Sequence, residues 1–227
     1  MSAVSKKILN AKNIHKAYPL PKGELPVLKG IDLEIGTGEI VAVIGPSGVG
    51  KSTLLHVLGA LDRPSAGQVH LDDEDVFAMS DDELADFRNR RIGFVFQFHH
   101  LLPEFSALEN VAMPALIART SKVDAFKRAR QLLEDVGLSQ RMQHKPREMS
   151  GGEQQRVAFA RALTNEPALV LADEPSGNLD LKSSQALHQL MWNLVRDKQQ
   201  TFVIVTHNRE LAGEADRIIE LFDGRIR

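Results

Sequence analysis

One stretch, Gly45-Pro46-Ser47-Gly48-Val49-Gly50-Lys51-Ser52-Thr53, constrains the chain more than any other. An apolar, β-branched run, Ile40–Ile44 (IVAVI), leads directly into it, and a helix-like segment, Lys51–Leu58, leads out. Glycines let a backbone curl so that successive N–H groups converge on phosphate oxygens, and the following helix N-terminus adds positive potential. Lys51 at this spacing would neutralise β- and γ-phosphate charge, the Ser52 hydroxyl would ligate Mg²⁺, and Thr53 could reach an α-phosphate. A glycine-rich turn with a chance lysine is the bland alternative. Having a strand before and a helix after disfavours it.

Other short apolar runs repeat the pattern of buried parallel strands: Ile92–Phe96, Leu169–Ala172 and Phe202–Val205. With helix-like stretches between them they predict an α/β fold. Ile8–Lys16 and Ile31–Ile35 alternate polar with apolar and predict an antiparallel flank, with Gln68–Leu71 as a further short strand. Between Pro103 and Pro146 the period turns helical, most clearly over Phe126–Val136, which predicts a helical insert. Lys and Arg number 28 against 30 Asp and Glu, a net charge of −2, which argues against nucleic acid or anionic lipid as a partner held by charge alone. No cysteine is present, so disulfides and thiolate metal sites are excluded. Met1–Lys7 lacks the apolar core of a secretory leader, and no apolar run reaches spanning length. The expectation is an intracellular protein with no direct membrane insertion.

Asp173 closes the apolar run Ala168–Asp173, and Glu174 follows at once. An acid at a strand end can hold Mg²⁺ through water, and the next carboxylate can orient and polarise an attacking water. Two solvated acids would be the commoner meaning of such a pair. The phosphate loop, which needs a metal partner, tips the reading toward chemistry.

The stretch Ser150-Gly151-Gly152-Glu153-Gln154 opens a helix carrying Arg156, Phe159 and Arg161, 23 residues before Asp173. It resembles the signature of ABC-type ATPases, and other elements of that family fall in order. Tyr18 resembles the adenine-stacking aromatic, and Gln97 the glutamine that contacts magnesium and faces the membrane partner. Ser176-Gly177-Asn178-Leu179-Asp180 resembles the loop that touches the opposite subunit, and His207 the switch histidine. The resemblance implies a P-loop NTPase core of ABC type, with an N-terminal antiparallel β flank and an inserted α-helical subdomain at about 98–150 within one 1–227 domain. It also implies ATP and Mg²⁺, with Ser52, Gln97 and Asp173 as metal contacts, Glu174 and His207 as catalytic residues, and a head-to-tail homodimer. In that dimer Ser150 to Gln154 cap the γ-phosphate held by the partner's loop. Physically, the serine and glycines at a helix start make a second anion site. An ordinary capping box of Ser150 with Glu153 is the alternative, and the two are compatible.

Phe98-His99-His100 and the following LLPEFSALENVAMP, ending at Pro114, resemble the group of lipoprotein-releasing ATPases, macrolide-type exporters and the cell-division ATPase. They are most like the ATPase of the lipoprotein-release (Lol) complex. The resemblance implies transmembrane permease subunits as partners and a peripheral place on the cytoplasmic face of the bacterial inner membrane. A division-type ATPase that signals without transport remains an alternative, as does the ATPase part of a macrolide-type exporter. The end of the chain soon after Gly224 disfavours the exporter. No third ligand stands near His99 and His100, so partner contact or packing is preferred there over metal binding.

Overall fold

The computed structural model describes residues 6–227; residues 1–5, part of the stretch without a leader pattern, lie outside it. Along the chain run β1 (Lys7–Pro19), β2 (Glu24–Gly36), β3 (Ile40–Ile44), α1 (Lys51–Leu58), β4 (Ala66–Leu71), β5 (Glu74–Asp75) and α2 (Asp81–Arg91). These are followed by β6 (Ile92–Val95), α3 (Ala107–Ile117), α4 (Lys122–Asp135), α5 (Gly151–Ala162), β7 (Leu169–Asp173) and α6 (Leu181–Asp197). The last four are β8 (Phe202–Val205), α7 (Arg209–Gly213), β9 (Arg217–Phe222) and β10 (Arg225–Ile226). Two compact units result, one of residues 6–88 with 199–227 and the other of residues 89–198.

In the first unit β1 pairs antiparallel with β2 and β4, as the alternating sequence predicts, and β4 pairs with β5. Ile14, Leu28, Ile31 and Ile35 are buried from this sheet. β3 lies between β8 and β9, parallel to both. Its residues Ile40 to Val43 and all of β8 are buried, which is why both read as unbroken apolar runs. β3 thus delivers the chain to the glycine loop from the middle of a fixed layer.

In the second unit β6 pairs parallel with β7. The α3 helix packs on α4 and α5, burying Val111 and Ala112 with Ala129, Leu133, Val157 and Ala158. Small residues at these positions let helix axes come close. Capping sets where the helices begin: Ser106 with Glu109 forms a full capping box on α3, and Ser121 caps α4. The predicted insert, 98–150, falls wholly within this unit. Among the described residues no helix is long and apolar enough to cross a membrane.

Candidate nucleotide site

In the first unit the loop after β3 turns through three glycines with positive φ, at Gly45, Gly48 and Gly50, and passes into α1. Close approach explains two of them. A Cβ on Gly45 would lie 2.3 Å from the Leu221 carbonyl oxygen, and one on Gly50 would lie 2.9 Å from Val27 Cγ1. Gly50 is the N-cap of α1 and offers no side-chain cap, so the first-turn N–H groups face the loop without a competing acceptor from the cap. Lys51 arches back over the loop, donating from Nζ to the carbonyls of Gly45 (2.9 Å) and Pro46 (3.0 Å). Pro46, Ser47 and Val49 complete the turn, with the Val49 N–H at 3.4 Å from the Pro46 oxygen. Ser52 and Thr53 stand in the first turn of α1. A bare-backbone cradle with one cation and a hydroxyl suits a polyphosphate and the hard cation that accompanies it.

Tyr18, near the end of β1, donates its hydroxyl to Asp62 Oδ2 at 2.8 Å. Burial, followed by the Asp62 bond, raises its phenol above the usual value. His207 follows β8 by two residues, just ahead of Asn208, which caps α7. The first unit therefore joins Tyr18 to the chain just past α1 through Asp62.

In the second unit Asp173 ends β7, where the run Ala168–Asp173 places it, and Glu174 follows with φ 44. That left-handed conformation costs a residue with a Cβ roughly 1–2 kcal/mol. Gln97 lies two residues beyond β6, which stops at Val95 and not at Phe96. It makes a reciprocal amide pair: its Nε2 donates to Asn178 Oδ1 and the Asn178 Nδ2 donates to the Gln97 carbonyl, both at 3.2 Å. Gly177 allows the approach, since a Cβ there would sit 2.9 Å from Gln97 Nε2. Sequence reading places Gln97 and Asn178 in separate roles and does not foresee this link across 81 positions.

The same unit holds the Ser150 motif in its capping-box form. Ser150 Oγ accepts from the Glu153 N–H at 3.2 Å, while Glu153 Oε2 accepts from the Ser150 N–H at 2.8 Å. The Ser150 backbone bond, aided by Arg141, holds the Glu153 carboxyl below the usual range. Gly151 and Gly152 form the first turn of α5, and Gln154 donates to the Met149 carbonyl at 3.0 Å. Ser176 Oγ meets His188 Nε2 at 2.7 Å, and Asp180 caps α6 by accepting from the Ser183 N–H at 2.9 Å. Each end of that predicted loop is thus tied to α6.

The segment after Gln97 is held from beneath. Arg161 donates to the carbonyls of His99 (2.8 Å) and His100 (2.7 Å), and Gln155 to that of Phe96 (2.8 Å). Burial, with the charges of His100 and Arg161, lowers the His99 imidazole. Asn110 is fully buried: Oδ1 accepts from the Leu102 N–H at 2.8 Å, and Nδ2 donates to the carbonyls of Leu102, Phe105 and Ser106 at 3.0–3.1 Å. Phe98 (64%), Leu102 (41%) and Phe105 (39%) remain exposed, whereas Leu101 is half-buried. Sequence reading names Arg161 only as a residue of the signature helix, and the carbonyl contacts of Arg161, Gln155 and Asn110 leave no local pattern to find. Replacing Asn110 with leucine should cost about 3 kcal/mol. That corresponds to a fall in Tm of roughly 6–12 °C. Thermal melting followed by circular dichroism checks it, and a fall under about 2 °C would contradict the clamp.

Residues 28–177 match the family described as ABC transporter. The lipoprotein-releasing system ATP-binding protein LolD of Geobacter metallireducens is 54% identical over 219 residues, covering 96% of this chain and 97% of its own length. Its namesake in Bacteroides thetaiotaomicron is 57% identical over 205 residues, covering 90% of this chain and 94% of its own. Among solved structures, the ATP-binding cassette MJ0796 in a dimeric post-hydrolysis state bound to ADP and Pi matches with a TM-score of 0.89. It is 41% identical, and the match covers 96% of each chain. With a strand-loop-helix phosphate cradle, a signature helix and these likenesses together, the chain belongs to the ABC transporter family as one of its ATP-hydrolysing cassettes.

Proposed function

We propose that this cassette is the ATPase subunit of a lipoprotein-releasing complex. One observation carries the reading: relatives named lipoprotein-releasing system ATP-binding protein are 52–57% identical to it over 90% or more of its length. On this reading the chain is peripheral to the cytoplasmic face of the inner membrane and works with transmembrane permease subunits. The exposed Phe98, Leu102 and Phe105, mounted on the segment that Asn110 and Arg161 hold, offer an apolar surface for such a partner.

The proposed chemistry assigns each residue one task within a single ATPase domain carrying the 98–150 insert. Lys51 and the N–H groups of 45–53 hold the triphosphate, and Tyr18 receives the adenine. Ser52, Gln97 and Asp173 supply the oxygens that would hold Mg²⁺. A Mg²⁺ ion held by these residues would supply Lewis-acid charge withdrawal from the phosphate oxygens. Glu174 accepts a hydrogen bond from the attacking water, orienting and polarising it, and His207 steadies the γ-phosphate. Ser150 through Gln154 cap the ATP on a second copy, with Ser176, Asn178 and Asp180 on the loop between copies. The dimeric state of the MJ0796 cassette supports the homodimer.

Reconstitution tests this reading. Purified with its neighbouring membrane subunits into proteoliposomes, the chain should release a membrane-anchored lipoprotein when ATP is added, and not with a non-hydrolysable analogue. Hydrolysis controlled by the membrane subunits but without release would assign it to the division type instead.

A further inference from the structure

Tyr18 is gripped more firmly than a stacking platform requires. Lys16 Nζ stands 4.9 Å over its ring centroid, and the same ammonium donates to Asp62 Oδ1 (2.5 Å) and the Arg63 carbonyl (2.7 Å). Asp62 is therefore shared, accepting from Lys16 on one oxygen and from the Tyr18 hydroxyl on the other. The Lys16 side chain is only 12% exposed and that of Asp62 30%, so water competes weakly for either.

Asp62 is itself fixed to the helix that carries the phosphate loop. Beyond α1 the chain turns at Ala60, and the N–H groups of Leu61 (2.9 Å) and Asp62 (3.3 Å) donate to the His56 carbonyl. Arg88 holds the turn from outside, donating to the Ala60 carbonyl at 3.0 Å. The Tyr18 hydroxyl is thus tied, through Asp62, to the end of the helix that opens with the phosphate loop. With Lys16 over one face, a flat base has only the opposite face to stack on.

We propose that Asp62 and Lys16 are positioning residues that lock the Tyr18 ring in the orientation adenine stacks on, so that affinity for the base, and not for the phosphates, depends on them. The proposal rests on Tyr18 as the adenine platform. It predicts that the base and phosphate subsites keep a fixed separation through α1, and it identifies a purine ring as the ligand that the clamp serves.

Binding of ATP and of inorganic tripolyphosphate to the full chain, by calorimetry, separates the two subsites. Asp62→Asn should weaken ATP about five-fold through a loosened stack. Tripolyphosphate should be unchanged, KM for ATP should rise and kcat should hold. Tyr18→Phe, which keeps the ring and drops the hydroxyl, should reproduce the loss, and the two changes combined should not add. Because Tyr18 is the only tyrosine, near-ultraviolet titration of its phenolate reports the contact directly. Its raised value should fall toward the ordinary one in Asp62→Asn. Lys16→Gln supplies a second variant should Asp62→Asn fold poorly. Equal weakening of tripolyphosphate would overturn the proposal, since Asp62 would then brace the loop itself. If Tyr18→Ala weakens ATP but Asp62→Asn and Lys16→Gln do not, positioning is wrong and the adenine platform stands. If Tyr18→Ala changes nothing, the platform falls and the proposal with it.

Discussion

Replacing Glu174 with glutamine should cut steady-state ATP hydrolysis roughly 10²–10⁴-fold while leaving ATP binding within about two-fold. The amide preserves size and the backbone conformation at φ 44 but removes the carboxylate assigned to the attacking water. Because the triphosphate contacts are untouched, the ATP-loaded dimer should accumulate, visible as a shift to twice the mass in size-exclusion chromatography. Phosphate release measures the first effect and nucleotide titration the second. Turnover near the parent's would remove Glu174 from the reaction and turn attention to His207.

A second large effect is expected at Lys51, but on binding. Its ammonium has three N–H donors, of which two serve the Gly45 and Pro46 carbonyls, leaving the third for phosphate. Lys51→Ala removes a charge-assisted bond from the ligand and also releases the loop it arches over. Affinity for ATP should fall roughly 10–100-fold. Equilibrium titration of the full chain checks this, with a thermal melt to show that the fold persists. An unchanged Kd with lost turnover would mean that the lysine acts on the transition state alone.

How far the sequence reveals these features depends on how local their causes are. β3 and β8 are legible to the residue because nearly every position in them is buried. By contrast β9 alternates exposed with buried and carries Arg217 and Glu220, so it offers no unbroken run. The α2 helix buries only Leu84 and Phe87 and blends with the polar chain around it. The phosphate loop and the Ser150 capping box are legible because each works through neighbours within a few positions. The Tyr18–Asp62 bond spans 44 positions and the Gln97–Asn178 pair 81, and no local pattern marks either. Families supply roles for single residues, while folding decides which of them touch.

The backbone at Glu174 carries a cost that the carboxylate itself does not require. Glycine would relieve the left-handed strain at that position. On the role proposed for Glu174, selection for heat resistance alone would drift away from the acid, toward a hardier cassette that holds ATP without spending it. Directed evolution of this chain for robustness needs turnover in the screen, or it will reward the loss of its own chemistry.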